Sequence, residues 1–293
     1  MNKTKDKILI TGVNGFTGAY LKNLAEDEYD IYGIDYKGKF NKKIKKIDLK
    51  DKKKLTNFIL KIEPKFIIHL GGISQVNESN SNKLFLTNIL GTKNLLESIQ
   101  LMQIKPEKII FSSTANLYNS KKIITERTKC TVSNNYALSK YICEKLIADL
   151  YTDLPIIITR PCNYTGAGQT EDFIIPKIIS HFKKREKTIE LGNIEVFRDY
   201  SDVRDIAQMY IALMRNGKAH DIYNLCSGSS HSIKEIILKL QTMTGHQISI
   251  KRNKRLMRKN DIKIIKANPK KINLIYSKNR THIDETLAWM LKN

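Results

Sequence analysis

The segment that most constrains this chain is its first apolar run and the turn behind it. Ile8-Leu9-Ile10 leads directly into Thr11-Gly12-Val13-Asn14-Gly15-Phe16-Thr17-Gly18, and an amphipathic stretch follows to about Ala25. A short apolar run without alternation is what a strand buried on both faces requires. Three glycines spaced three apart let the backbone turn tightly and bring a helix close to the strand end. The free N–H groups and the dipole at the start of such a helix favour an anion. The turn, with Gly12, Asn14, Gly15, Phe16 and Gly18, is therefore a candidate cradle for the pyrophosphate of a dinucleotide. Glycines alone often just make a turn; the strand before and the helix after carry the reading.

The same rhythm continues. Ile31-Tyr32-Gly33-Ile34, Phe66-Ile67-Ile68-His69-Leu70, Ile109-Ile110-Phe111 and Ile156-Ile157-Ile158-Thr159 read as further strands, with helices expected over about 83–102 and 134–151. Strands alternating with helices imply an α/β fold, a Rossmann-type doubly wound parallel sheet. After Pro161 the rhythm breaks. Residues 163–169 read as loop, and the rest as a smaller α+β substrate-binding lobe. A helix over 203–214 and a strand over 222–225 are expected to return to the sheet. The expected division is a dinucleotide-binding domain over 1–165, with returning segments near 200–226, and a lobe over 166–293.

The chain has 293 residues, 41% of them hydrophobic, and no run of the roughly 18 apolar residues a membrane span needs. Its charged start runs directly into a strand, so no signal peptide is expected. Cys130, Cys143, Cys162 and Cys226 are far apart in sequence, without metal-ligand spacing, and read as reduced thiols of a cytoplasmic protein that holds no metal. The net charge is +22. Its lysines are spread along most of the chain, so it reads as a lysine-rich surface, with no nucleic acid or membrane as partner. The dense run over 251–259 reads as a solvated segment.

Asp35 ends the second strand, 17 residues beyond Gly18. A carboxylate there binds ribose hydroxyls and repels a 2′-phosphate, which favours NAD(H). Lys37 and Lys39 stand close by and keep NADP(H) as the alternative. Asp48 and Leu49, after the third strand, are placed to flank the adenine. His69, alone in an apolar strand, reads as a core residue.

Ser112-Ser113-Thr114 ends the strand over 109–111, and one helix later come Tyr136 and Lys140. At i and i+4 these two share a helix face. Reducing a ketone needs a hydride on carbon and a proton on oxygen. A tyrosine, with an ordinary pKa of about 10, moves that proton most readily when a nearby ammonium and a cationic nicotinamide favour its phenolate. A shift of about 3 units corresponds to roughly 4 kcal/mol. Thr114 is placed to bond the substrate oxygen. Y-x-x-x-K is common by chance; its position behind the hydroxyl-rich strand end makes Thr114, Tyr136 and Lys140 the candidate catalytic residues.

Together these segments resemble the extended short-chain dehydrogenase/reductases that act on nucleotide sugars. The resemblance spans nearly the whole chain: TGVNGFTG, Asp35, Asp48-Leu49, HLGG, Asn88-Ile89-Leu90-Gly91-Thr92, SSTANLY, YALSK, RPCNYTGAGQ and RDYSDVRD. It implies that Leu70 and Gly71 join the cofactor site. The C-terminal half most resembles the branch that reduces GDP-4-keto-6-deoxy-D-mannose. That resemblance implies Asn163 and Arg198 at the substrate diphosphate, Phe173, Ile174 and Lys177 near the nucleotide, Arg258 at its ribose or phosphates, and a homodimer paired through the helices over 83–102 and 134–151. There are departures. The usual alanine pair after the fourth strand is Gly71-Gly72, and Asn116 replaces the acidic residue that drives water elimination in the family's sugar 4,6-dehydratases. GDP-sugar reductases often carry Glu there too. Three functions remain open: a nucleotide-sugar 4-ketoreductase, a nucleotide-sugar 4-epimerase with retained NAD, and a nucleotide-binding regulatory protein without catalysis.

Overall fold

The computed structural model describes residues 5–76, 78–120, 123–257 and 263–293. Its strands are β1 (Lys7–Thr11), β2 (Asp30–Asp35), β3 (Ile44–Lys46), β4 (Phe66–His69), β5 (Lys108–Ser112), β6 (Ile156–Pro161), β7 (Asn163–Thr165), β8 (Thr188–Leu191), β9 (Phe197–Arg198), β10 (Tyr200–Asp202), β11 (Ile222–Leu225), β12 (His231–Ser232), β13 (Ser249–Arg252) and β14 (Ile264–Ile265). The α-helices are α1 (Phe16–Ala25), α2 (Lys52–Ile62), α3 (Ser81–Phe85), α4 (Gly91–Gln100), α5 (Asn135–Leu150), α6 (Ile174–Lys183), α7 (Val203–Asn216), α8 (Ile233–Thr244), α9 (Lys270–Asn273) and α10 (Ile283–Lys292).

Seven strands form one parallel sheet in the order β11-β6-β5-β4-β1-β2-β3. The order reverses between β1 and β4, which opens a crevice at the carboxyl ends of the strands. The unbroken apolar runs follow from burial on both faces. Ile8, Ile10, Ile68 and Ile110 pack with Leu21, Ala25, Ile206 and Leu213 of α1 and α7. Leu9, Ile67, Ile109 and Phe111 pack with Leu55, Ile59, Leu95, Ile99 and Ile147 of α2, α4 and α5. Successive strand side chains point to opposite faces, so each apolar run feeds two cores. A third core gathers Ile175, Ile178 and Phe182 of α6 with Ile236 and Leu240 of α8 and Leu287 and Met290 of α10. The late returns are present: β11 pairs with β6, Leu225 opposite Pro161, and Tyr210 of α7 joins the first core. Among the described residues, no helix is long and apolar enough to cross a membrane.

Two expectations are corrected, and one reading is placed in space. The helix expected over 83–102 is interrupted by a π-helical turn, Leu86–Leu90, between α3 and α4. Residues 163–165, expected as loop, form β7, because Asn163, Tyr164 and Thr165 find backbone partners in Tyr200, Ser201 and Asp202. Cys162 and Cys226, 64 positions apart in sequence, stand at the ends of the neighbouring strands β6 and β11 and share a small buried cluster with Tyr118. Both remain free thiols.

Candidate active site

The glycine turn is shaped by close approach. Gly12 adopts φ +71°, and a Cβ on Gly18 would stand 2.2 Å from the Gly12 carbonyl oxygen. Any side chain at 18 would push α1 off the turn. Gly12 N–H donates to Ile34 O at 2.8 Å, and Gly15 N–H to Gly12 O at 3.0 Å. Gly15 is the N-cap of α1 and brings no side chain to the first-turn N–H groups, which helix geometry leaves without intrahelical partners. Asp35 ties β2 to this turn. One carboxylate oxygen accepts Asn14 N–H at 3.0 Å; the other accepts Tyr36 N–H at 2.8 Å and Lys37 N–H at 3.3 Å. The Asn14 amide donates to the carbonyls of Lys37 and Lys39 at 3.0 and 3.1 Å. The turn and the strand end that would hold an adenosine ribose are therefore one hydrogen-bonded unit. Leu49 is buried and Asp48 exposed beside β3, and Leu70 is half-buried at the end of β4. The glycine at 71 has a local reason: a Cβ there would stand 2.9 Å from both Leu49 Cδ1 and Thr11 Oγ1.

His69 is a core residue, but it is not idle in the network. Gly71 N–H donates to Thr11 Oγ1 at 2.9 Å, and Thr11 Oγ1 meets His69 Nδ1 at 2.6 Å. On the other side His69 Nε2 meets Thr92 Oγ1 at 3.0 Å, and Thr92 donates its proton to Asn88 O. Thr92 must then accept from Nε2–H, and Thr11 must donate to Nδ1, so the ring is the neutral Nε2–H tautomer. Burial, reinforced by the Lys140 charge, pushes its pKa down to about 3.

Asn88 lies in the π-helical turn and went unrecognised as a site residue in the sequence reading. Its amide donates to Ile73 O at 3.1 Å and Ser139 Oγ at 2.9 Å, and its Oδ1 accepts Ile73 N–H at 2.7 Å. It therefore clamps the loop after β4 to α5 between Tyr136 and Lys140. The signal in the sequence is the family-like segment Asn88-Ile89-Leu90-Gly91-Thr92. π-helical turns gather at functional sites.

Thr114 follows β5, and its hydroxyl lies near the buried Tyr136 phenol on α5 and accepts the Asn116 backbone N–H at 3.1 Å. Burial, opposed by the nearby Thr114 hydroxyl, pushes the phenol up to about 12. Lys140 is not among the groups that shift the Tyr136 phenol, contrary to the expectation. The Lys140 ammonium, 6% exposed, donates instead to Ser112 O at 2.7 Å and lies 5.0 Å from the Phe111 ring centroid. Burial lowers its own pKa, against the attraction of Cys143 and Glu144.

Asn163 is exposed at the head of β7, and Phe173 and Ile174 are half-buried at the start of α6. Lys177 donates to Glu190 O at 2.9 Å. Arg198 is buried in β9, between β12 and β14, and donates to Phe197 O at 2.8 Å. The nearby carboxylates have their own partners. Asp202 holds Arg204 and Thr286, and Asp199 accepts from Ser201, Ser227 and Gly228. Arg258 lies outside the described residues. Tyr164, also passed over in the sequence, stacks on Phe16 with centroids 6.1 Å apart, and its hydroxyl meets Thr17 Oγ1 at 2.8 Å. It joins β7 to the glycine turn across the crevice.

The pattern of the NAD dependent epimerase/dehydratase family matches residues 8–226. GDP-6-deoxy-D-talose 4-dehydrogenase of Aggregatibacter actinomycetemcomitans is 31% identical over 293 residues, covering 98% of this chain and 97% of the relative. GDP-6-deoxy-D-mannose reductase of Pseudomonas aeruginosa is 25% identical over 269 residues, covering 86% and 85%. The structure of RMD from Pseudomonas aeruginosa complexed with NADPH shares the fold, with a TM-score of 0.85 at 24% identity over 98% of both chains. The Rossmann crevice and the glycine turn agree with these likenesses: the chain belongs to the NAD dependent epimerase/dehydratase family of extended short-chain dehydrogenase/reductases and is an NAD(P)-dependent oxidoreductase that modifies nucleotide sugars.

Proposed function

We propose that the protein is a nucleotide-sugar 4-ketoreductase that reduces the C4 ketone of a GDP-linked 4-keto-6-deoxyhexose, with NADH favoured over NADPH. The observation that carries this reading is the buried Tyr136 phenol on α5 beside Thr114, with an amide, Asn116, where an eliminating enzyme needs a carboxylate. A phenol held as an acid suits reduction, in which the substrate oxygen must gain a proton. NAD(P)H supplies the hydride to C4 when bound. Tyr136 gives its proton to the C4 oxygen, so that ketone, hydride and proton become an alcohol. Thr114 orients the oxygen, and Lys140 holds the nicotinamide ribose once it leaves Ser112 O. Gly12, Asn14, Gly15, Phe16, Gly18, Asp35, Asp48, Leu49, Leu70 and Gly71 bind the dinucleotide. Asn163 and Arg198 take the substrate diphosphate, Phe173, Ile174 and Lys177 lie near the nucleotide, and Arg258 reaches its ribose or phosphates, all but Asn163 in the lobe over 166–293.

The two curated relatives support the same ketone. 6-Deoxytalose and 6-deoxymannose differ only in configuration at C4, so oxidation at C4 erases the difference. The protein is further proposed to be a cytoplasmic homodimer. Leu86, Leu90 and Leu150, on the helical layer of α3 to α5, are 49%, 36% and 60% exposed and suit burial against a second copy.

The test is a panel of GDP-, UDP-, dTDP- and CDP-linked 4-keto-6-deoxy sugars with NADH and NADPH. Oxidation of NADH with the GDP sugar is the expected result. NAD retained through purification, with inversion at C4 and no net oxidation of added NADH, would instead identify an epimerase.

A further inference from the structure

Hydride transfer requires two ligands to meet in close register, yet different elements hold them. The dinucleotide is proposed to lie at the glycine turn and the start of α1, and the substrate diphosphate at Asn163. The start of α1 and the loop after β7 are fastened together. Tyr164, next to Asn163, stacks on Phe16 with ring planes 7° apart, and its hydroxyl shares a hydrogen bond with the buried Thr17 at 2.8 Å. One turn further along α1, Tyr20 donates to Ala167 O at 2.7 Å and meets the Phe16 ring edge to face at 5.6 Å. Residues three and four apart are neighbours on a helix surface. Phe16, Thr17 and Tyr20 therefore offer the loop one continuous seat.

The loop is also braced within itself and from behind. Gln169 donates to Tyr164 O at 3.3 Å and accepts from Thr165 Oγ1 at 2.8 Å. Gly166 has no room for a side chain: a Cβ there would stand 2.5 Å from Val203 Cγ1 and 3.0 Å from the Trp289 ring. The loop is thus wedged between α1 and the helices α7 and α10, and a displacement at either end passes through Tyr164. We propose that Tyr164 is a positioning residue that couples the two ligands: it locks the loop beside Asn163 to the helix start that takes the pyrophosphate, so that each ligand raises the affinity for the other. The physical cause is shared ordering. The first ligand stills the joint, and the second meets it already still and loses less conformational freedom. By linkage the effect is equal in both directions. The coupling rests on the nucleotide-sugar reading of Asn163; the joint rests on the contacts themselves.

The experiment uses the full chain with Tyr164→Phe, Thr17→Val and the two together. Each substitution removes one hydroxyl of the bond and keeps the shape. GDP is titrated calorimetrically with and without saturating NAD+, and NAD+ with and without saturating GDP. In the unaltered protein each ligand is expected to lower the dissociation constant of the other by the same factor, at least about fivefold. In each variant the factor should fall below about twofold, and the double variant should do no worse than the single ones, since all three break one bond. A factor retained in Tyr164→Phe overturns the proposal, as does independent binding of the two ligands in the unaltered protein. A lowered melting temperature with the factor intact also overturns it, by assigning the bond to stability alone. Amide hydrogen exchange over residues 163–169 reads the joint without a nucleotide. NAD+ should slow it at least about threefold in the unaltered protein and leave it unchanged in Tyr164→Phe. Equal slowing in both proteins overturns the proposal. Should GDP, UDP, dTDP and CDP all fail to bind, the nucleotide-sugar reading fails, and the exchange measurement still decides the role of Tyr164.

Discussion

Tyr136 is the residue on which the proposed chemistry turns. Tyr136→Phe keeps the packing and removes the phenolic proton. Turnover is expected to fall about 100- to 10,000-fold while the dinucleotide dissociation constant holds; near-normal turnover removes Tyr136 from the reaction. Asp35 has two proposed tasks: the carboxylate proposed to bind a ribose also accepts three backbone N–H groups. Asp35→Ala should raise the ratio of kcat/KM for NADPH over NADH. It should also lower stability by about 1–3 kcal/mol, because those N–H groups lose their acceptor. Ratio and melting temperature measured on one variant separate the two. His69 carries a pH signature. Its pKa falls from 6.5 to about 3 on folding, so below pH 6.5 the unfolded chain binds more protons than the folded one. Stability is then fully present above about 6.5 and is lost as pH falls toward 3. A melting temperature that drops between pH 7 and 5, with a shallower drop in His69→Gln, is the expected result. Equal slopes in both proteins would assign the acid sensitivity to other groups.

At the scale of elements, α5 needs a fixed register, because it carries Tyr136 and Lys140 on one face. Glu144, one turn beyond Lys140, supplies it. Its carboxylate pairs with the Arg160 guanidinium of β6 through Nε at 2.9 Å and Nη2 at 2.5 Å, and both residues are buried. Arg160 also donates to Tyr118 Oη at 2.9 Å, and Tyr118 in turn donates to Asn224 of β11. Removing one member of such a pair strands a buried charge, which costs about 3–5 kcal/mol. Glu144→Ala is therefore expected to destabilise by that amount in denaturant titration. A loss under 1 kcal/mol would mean that apolar packing of Ile147 and Cys143 alone positions the helix.

Over the whole molecule, two surface features ask for partners. The helical layer leaves Leu86, Leu90 and Leu150 exposed, while Leu95, Leu96 and Ile147 on the same helices are buried in the sheet core. The apolar residues on two faces thus divide between one core and one outer surface. A dimer by sedimentation at micromolar concentration is expected, and Leu86→Glu with Leu150→Glu should yield monomers. A wild-type monomer would leave this face solvated. The charge of +22 is spread over the lysine-rich surface, with several lysines in exposed pairs such as Lys65 with Asp6 and Glu107. Exposed pairs like these contribute little to stability. Their effect belongs to association rate and its dependence on salt.

The fold was legible because its signals are local. Unbroken apolar runs, a glycine turn after the first, and amphipathic stretches between them define a doubly wound sheet before any contact is known. Gly18 was legible for the same reason: only a missing side chain lets α1 approach Gly12. The pairing of Tyr136 with Lys140 on one helix face also lies within four residues. What the sequence could not carry were contacts closed by distant segments. β7 exists because Tyr200–Asp202 offers it backbone partners. Cys162 meets Cys226 because β6 and β11 are neighbours. Tyr164 reaches Thr17 across 147 positions. The state of the catalytic pair belongs here too. Spacing put an ammonium on the phenol's helix face, but burial raises the phenol's pKa, and Lys140 bonds Ser112 O. Local pattern specifies which elements form, since periodicity is a property of neighbours along the chain. Desolvation and hydrogen-bond direction are properties of neighbours in space, and only the folded chain decides them.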